Sequence, residues 1–122
     1  MKLNPNCIRD ILLTIEDKSD YHHQTHYVYG SSNFPRLDKY YHEDIIYHIK
    51  QCDLSQLIYD VSYCDGGKSI YIGDLTPQGH EFLSNIKNDT VWKKLLSKCA
   101  GASLPILMEI APKLAMEFYL SQ

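Results

Sequence analysis

Apolar residues recur along this chain with two different periods, and the changes of period divide it into elements. Asn4-Pro5 has the form of a helix start, with asparagine as N-cap and proline at the first helical position. Ile8, Leu12 and Ile15, flanked by Ile11 and Leu13, continue as a helical stripe to about Asp17. Residues 20–40 carry a weaker pattern. Tyr21, Tyr27 and Tyr29 suggest alternation on a short strand closed by Gly30-Ser31-Ser32-Asn33, and Phe34-Pro35-Arg36-Leu37 one helical turn. From His42 to about Cys52 the period is again helical. Ile45, Ile49 and Cys52 share a face with His48 beside it, while Glu43, Tyr47, Lys50 and Gln51 point away.

The period then drops to two. Leu57–Tyr63 and Ser69–Ile72 read as strands, and Cys64-Asp65-Gly66-Gly67-Lys68 between them predicts a hairpin, because glycine tolerates the positive φ of tight turns. Thr76-Pro77 opens another helix with Phe82, Leu83 and Ile86 on its apolar side, and Asn88-Asp89-Thr90 ends it. Val91, Trp92, Leu95, Leu96 and Cys99 mark a short helix closed by Gly101. A last helix runs from Ser103 to about Leu120, with Leu107, Ile110, Leu114 and Phe118 as its stripe. Glu109, Lys113 and Glu117 stack outside that stripe, and Pro112 is expected to kink the helix.

Composition adds little to this picture. The chain has 122 residues, 44% hydrophobic and 22% charged, as expected of one globular domain. We divide it into a core over residues 1–88 and a C-terminal helical extension over 89–122. Its net charge of −3 argues against generic nucleic-acid coating, so any basic patch must be local. Cys7, Cys52, Cys64 and Cys99 form no C-x-x-C pair, and Met1-Lys2-Leu3-Asn4 runs directly into a helix start without a signal-peptide pattern. Free thiols and a cytoplasmic location follow as expectations, with Cys52 and Cys99 as small core residues.

Helix, connector, short turn, helix, two-stranded hairpin and helix is the order of a winged helix-turn-helix. The expected fold is therefore α+β: a winged helix-turn-helix with a two-stranded β-hairpin wing and additional C-terminal helices. His42–Cys52 would be the recognition helix and Asp65–Lys68 the wing tip. Cys7-Ile8-Arg9-Asp10-Ile11-Leu12-Leu13, Tyr47-His48, Leu75-Thr76-Pro77-Gln78-Gly79-His80-Glu81-Phe82-Leu83 and Thr90-Val91-Trp92 occur in that order. In these pieces the chain resembles the bacterial and phage family called domain of unknown function twenty-five-thirteen. The resemblance implies a winged-helix-like protein of phage or prophage type and transfers no activity. The sequence departs from the family pattern at Gln56, where glycine would be favoured between helix and wing strand.

The candidate chemistry is that of binding. Lys50 and Gln51 can reach base edges or phosphates, Lys68 can hold backbone at the wing, and Tyr41 and Tyr47 flank them. Duplex DNA is thus one candidate partner, although Glu43 and Asp44 at the start of the same helix would repel phosphate. Ten tyrosines, several within residues 21–47, favour a protein interface instead. Tyr27, Tyr29 and Tyr40, with Trp92, Lys93 and Lys94, are the candidate contacts for such a partner, for example a host protein inhibited or modulated by a phage factor. Lys87, Lys93, Lys94 and Lys98 around Trp92 can hold DNA backbone, an acidic partner, or only solvent. Leu104, Ile106, Met108, Tyr119 and Leu120 on the last helix suggest a homodimer, unless that helix packs wholly on its own domain.

Nothing in the sequence supports catalysis. His22-His23-x-x-His26 could place two imidazoles on one helical face, but a polar loop is the preferred reading. His48 and His80 read as core or near-core imidazoles rather than acid–base groups. Gly66-Gly67 lacks the lysine and hydroxyl of a phosphate loop. No enzyme activity, metal or cofactor is expected.

Overall fold

In the computed structural model, which describes residues 1–31 and 33–122, the first helix, α1, spans Pro5–Lys18. Ser32, in the expected closing loop of the first strand, lies outside the described residues. The Asn4 side chain caps α1 by accepting the Asn6 N–H at 3.0 Å, and Pro5 gives up no donor the helix needs. Cys7, Ile8, Ile11, Leu12 and Ile15 line its buried face. Strand β1, Thr25–Val28, turns Thr25 and Tyr27 inward, while Tyr21 precedes the strand and is exposed. A single 3-10 turn at Pro35–Leu37 leads to α2, His42–Leu54, two residues longer than the apolar pattern indicated.

The β-rich run beyond α2 is not one hairpin. Asp60, at φ 53°, turns the chain between β2 (Ile58–Tyr59) and β3 (Ser62–Cys64). Two antiparallel pairings result: β3 with β4 (Ser69–Ile72), and β2 with β5 (Asp74–Leu75). Strand β1 joins the free edge of β4, Tyr27 opposite Ile70, which gives a three-stranded sheet in the order β1-β4-β3.

The turn before β2 and the start of α3 (Pro77–Ile86) interlock. The Thr76 hydroxyl accepts the Gly79 N–H at 3.0 Å and donates to the Gln56 carbonyl at 2.6 Å, while the Thr76 N–H reaches the Leu57 carbonyl at 3.0 Å. Gly79 sits so close that a Cβ there would stand 2.0 Å from the Leu57 carbonyl oxygen. Leu-Thr-Pro-x-Gly therefore works as a unit: a core anchor, a cap, a first helical residue and a point of close approach.

Helices α4 (Asp89–Lys98) and α5 (Leu104–Leu120) complete the architecture, with Asn88 capping α4 through the Thr90 and Val91 amides. Helix α5 runs in one piece through Pro112, so the expected disturbance there stops short of a break. It lies across α3 and α4 and buries Leu104, Leu107, Ala111, Leu114 and Ala115. Leu104 is thereby removed from the residues expected to dimerise, and Met108 is half-buried. The described residues form a mixed α+β arrangement of five α-helices and small antiparallel sheets, centred on α1, which packs against α2, α3, β1 and β5. No helix among the described residues is long and apolar enough to cross a membrane.

Candidate functional site

Helix α2 is held by its inner face and leaves its outer face open. Ile45, His48, Ile49 and Cys52 are buried. His48 uses both ring nitrogens: Nε2 accepts the Asn4 N–H at 2.8 Å and Nδ1 donates to the Asp44 carbonyl at 2.7 Å. An amide can only donate and a carbonyl only accept, so these partners fix one tautomer. His48 is therefore a joint between the start of α1 and α2, as a near-core imidazole should be. His80, placed near the core by the same reasoning, is instead exposed on the outside of α3.

On the open face Tyr41 is 80% exposed, Lys50 is exposed, and Tyr47 and Gln51 are half-buried. The β3–β4 hairpin touches α2 at Ile46, Lys50 and Asp53. The Lys50 ammonium sits 4.9 Å from the Tyr63 ring centre, and the Tyr63 hydroxyl donates to Asp53 at 3.1 Å. Gly67 is buried against Ile46, since a Cβ there would meet the Ile46 Cδ1 at 2.8 Å. The hairpin turn consequently leans on α2, with Lys68 exposed at its end and its carbonyl accepting the Tyr29 N–H at 2.8 Å. Lys50, Gln51, Lys68, Tyr41 and Tyr47 thus all lie on α2 or the adjoining hairpin. Tyr63 was missed by sequence reasoning, although its place in the period-two run and its distance from α2 along the chain could have suggested it.

The charge of this surface is mixed. Glu43, Asp44 and Asp53 lie on α2, and Asp60 and Asp65 in the turns that flank β3, against Lys50 and Lys68. No side-chain hydrogen bond caps α2 at Tyr41, and Glu43 and Asp44 instead occupy the first turn, where carboxylates favour the helix dipole.

The residues assigned to a protein partner do not share one surface. Tyr27 is 7% exposed, and its hydroxyl meets the His42 Nδ1 at 2.7 Å. Trp92 is 4% exposed; its Nε1–H donates to the Asn6 side chain at 2.9 Å, and Arg9 lies over its ring. Both are structural residues, a correction that burial imposes, because an aromatic ring with a satisfied polar tip packs better inside than in water. Tyr40 is half-buried and donates to Asp10 at 2.6 Å; burial first, and then that bond, pushes its phenol well above the ordinary tyrosine range. Tyr29, Lys93 and Lys94 remain exposed. Tyr27, Tyr29, Phe34, Tyr40, His42 and Ile45 line a cavity of about 260 Å³ between β1 and the start of α2, with Tyr29 edge-on to His42 at 4.3 Å.

The remaining histidines separate. His22 and His23 lie in an exposed bend, where the His23 ring and the His22 amide hold the Asp20 carboxyl below its ordinary value. His26 stacks on Tyr71 at 3.9 Å on the outer face of the sheet. Among the described residues no three metal-binding side chains gather. Lys87 pairs with Glu16, whereas Lys93, Lys94 and Lys98 project from α4. Arg9, overlooked in the sequence, reaches the Ile86 and Lys87 carbonyls at 3.0 and 2.7 Å and Asp89 at 2.8 Å, tying α1 to the α3–α4 junction.

A family model described as "Hypothetical protein (DUF2513)" matches residues 2–104. Over 119 residues the chain is 33% identical to an "Uncharacterized protein" of Haemophilus influenzae (strain ATCC 51907 / DSM 11121 / KW20 / Rd), covering 94% of this chain and 92% of that one. No solved structure matches.

Proposed function

We propose that this chain, which belongs to the DUF2513 family, is a winged-helix protein that binds duplex DNA and regulates transcription. The winged-helix reading is supported by the order α1, β1, short turn, α2 and β3–β4 hairpin, and by β1 pairing on β4 in the order β1-β4-β3. In such a fold α2 enters the major groove and the hairpin follows the backbone. One observation carries the DNA reading: the polar face of α2 and the hairpin form a continuous surface, with Lys50 seated on Tyr63 and Lys68 at the far end. Lys50 and Gln51 then face base edges or phosphate, and Lys68 faces backbone.

The test is retention of fragmented genomic DNA across a salt series. Selective binding is expected at physiological salt, with log affinity falling linearly against log salt. Lys50→Glu combined with Lys68→Glu should abolish it; single changes to Gln should each flatten the slope by about 1. Unchanged affinity in the double variant would overturn the assignment. A second reading, a protein partner on the same face, draws on its carboxylates and on the exposure of Tyr41 and Tyr29. It is favoured if DNA is not retained and Tyr41→Ala or Tyr29→Ala weakens capture of a lysate protein.

A further inference from the structure

We infer that a second copy of this chain docks on the outer face of α5, the two helices running antiparallel about a twofold axis level with residue 111. The inner face of α5 is spent on α3 and α4. Its outer face carries Ile106 at 47%, Met116 at 64% and Leu120 at 79% exposure, half of the exposed large aliphatic side chains among the described residues, the others being Met1, Val28 and Leu54. At about 100° per residue these three, with Glu109, Ile110, Lys113 and Glu117, fall within a sector of roughly 120°. A sector of that width is the usual stripe by which a helix packs on a neighbour.

Four positions in the middle of this face are complementary in pairs, while Glu117 faces Pro105 about the same axis. Glu109 lies two residues before position 111 and Lys113 two after it; Ile106 lies five before and Met116 five after. Turned about a twofold axis at that level, each glutamate faces the lysine of the second copy, and each isoleucine faces the methionine. An isologous contact requires that residue i meet j while j meets i, which this spacing satisfies twice with matched chemistry. A parallel pairing in register would set Glu109 against Glu109 and Lys113 against Lys113. Neither Glu109 nor Lys113 has an ion-pair partner within its own chain among the described residues. The inference is independent of any role in DNA binding.

Sedimentation velocity on the full chain, from low micromolar to about 100 µM, decides the matter. A reversible dimer is expected. Glu109→Lys alone, or Lys113→Glu alone, sets like charges facing and should raise its dissociation constant about tenfold or more. The two changes together should restore it, a result that no loss of folding can mimic. Met116→Glu should leave a folded monomer with unchanged circular dichroism. A monomer throughout the range, a dimer indifferent to all of these variants, or a double variant no better than the singles would overturn the proposal.

Discussion

At position 56 the chain leaves α2 through a left-handed residue, φ 60°, and that residue is glutamine rather than glycine. Its carbonyl receives the Thr76 hydroxyl and its N–H reaches the Asp53 carbonyl, so the backbone is fixed there while the exposed side chain adds no hydrogen bond among the described residues. A side chain at positive φ costs about 1 kcal/mol, part of which glycine returns through the larger entropy of its unfolded chain. Gln56→Gly is therefore expected to stabilise the protein by about 0.5 kcal/mol in urea unfolding; a loss of stability would show that the side chain holds the turn. Asp60 and Asp65 also take positive φ, but aspartate tolerates the left-handed region better. The conformation was legible only as a departure from the family pattern, since no local feature of Ser-Gln-Leu announces it.

Among the elements, helices were read more accurately than strands because their signals are local. Asn4-Pro5 and Thr76-Pro77 read as helix starts, and the structure starts helices at both; Asn88-Asp89-Thr90, read only as the end of α3, also caps and opens α4. Strand partners are set by distant residues. Nothing near Thr25–Val28 states that it will meet Ser69–Ile72, and Asp74-Leu75 carries no strand pattern yet pairs with Ile58–Tyr59. For the same reason alternation placed Tyr27 on a strand without showing which face was the core. The tightest junction between elements is Gly79 against the Leu57 carbonyl. Gly79→Ala should push α3 away from the turn before β2 and cost about 3 kcal/mol, read as a lowered urea midpoint at unchanged m-value. A cost below about 1 kcal/mol would mean that the junction yields easily.

At the scale of the whole molecule, burial controls both the reactivity and the titration of the thiols. Cys7 and Cys52 are fully buried whereas Cys64 is exposed. Burial, aided by Asp10 and Asp44, pushes the Cys7 thiol up from 9.0 to about 12, and burial raises Cys52 and Tyr27 in the same direction. A thiol reagent should therefore label Cys64 in the native protein, and Cys7 and Cys52 only after unfolding. These groups stay protonated in the fold at pH values where the unfolded chain releases its protons. Their contribution is whole below about pH 9 and is lost as pH rises from 9.0 through about 12, so the urea midpoint should decline across that window. A flat profile, or labelling of Cys7 in native buffer, would contradict the packing around α1. The Arg9 clamp also bears on synthesis. Its acceptors stand 77 to 80 residues further along the chain, and Trp92 meets Asn6 across 86. At about 5–20 residues per second, α1 waits roughly 4–16 s on the ribosome before these partners are made. A helix itself forms in about a microsecond. Assembly of this protein in the cell is thus timed by translation, and for those seconds the Ile8–Ile15 stripe is open to whatever binds apolar nascent chains.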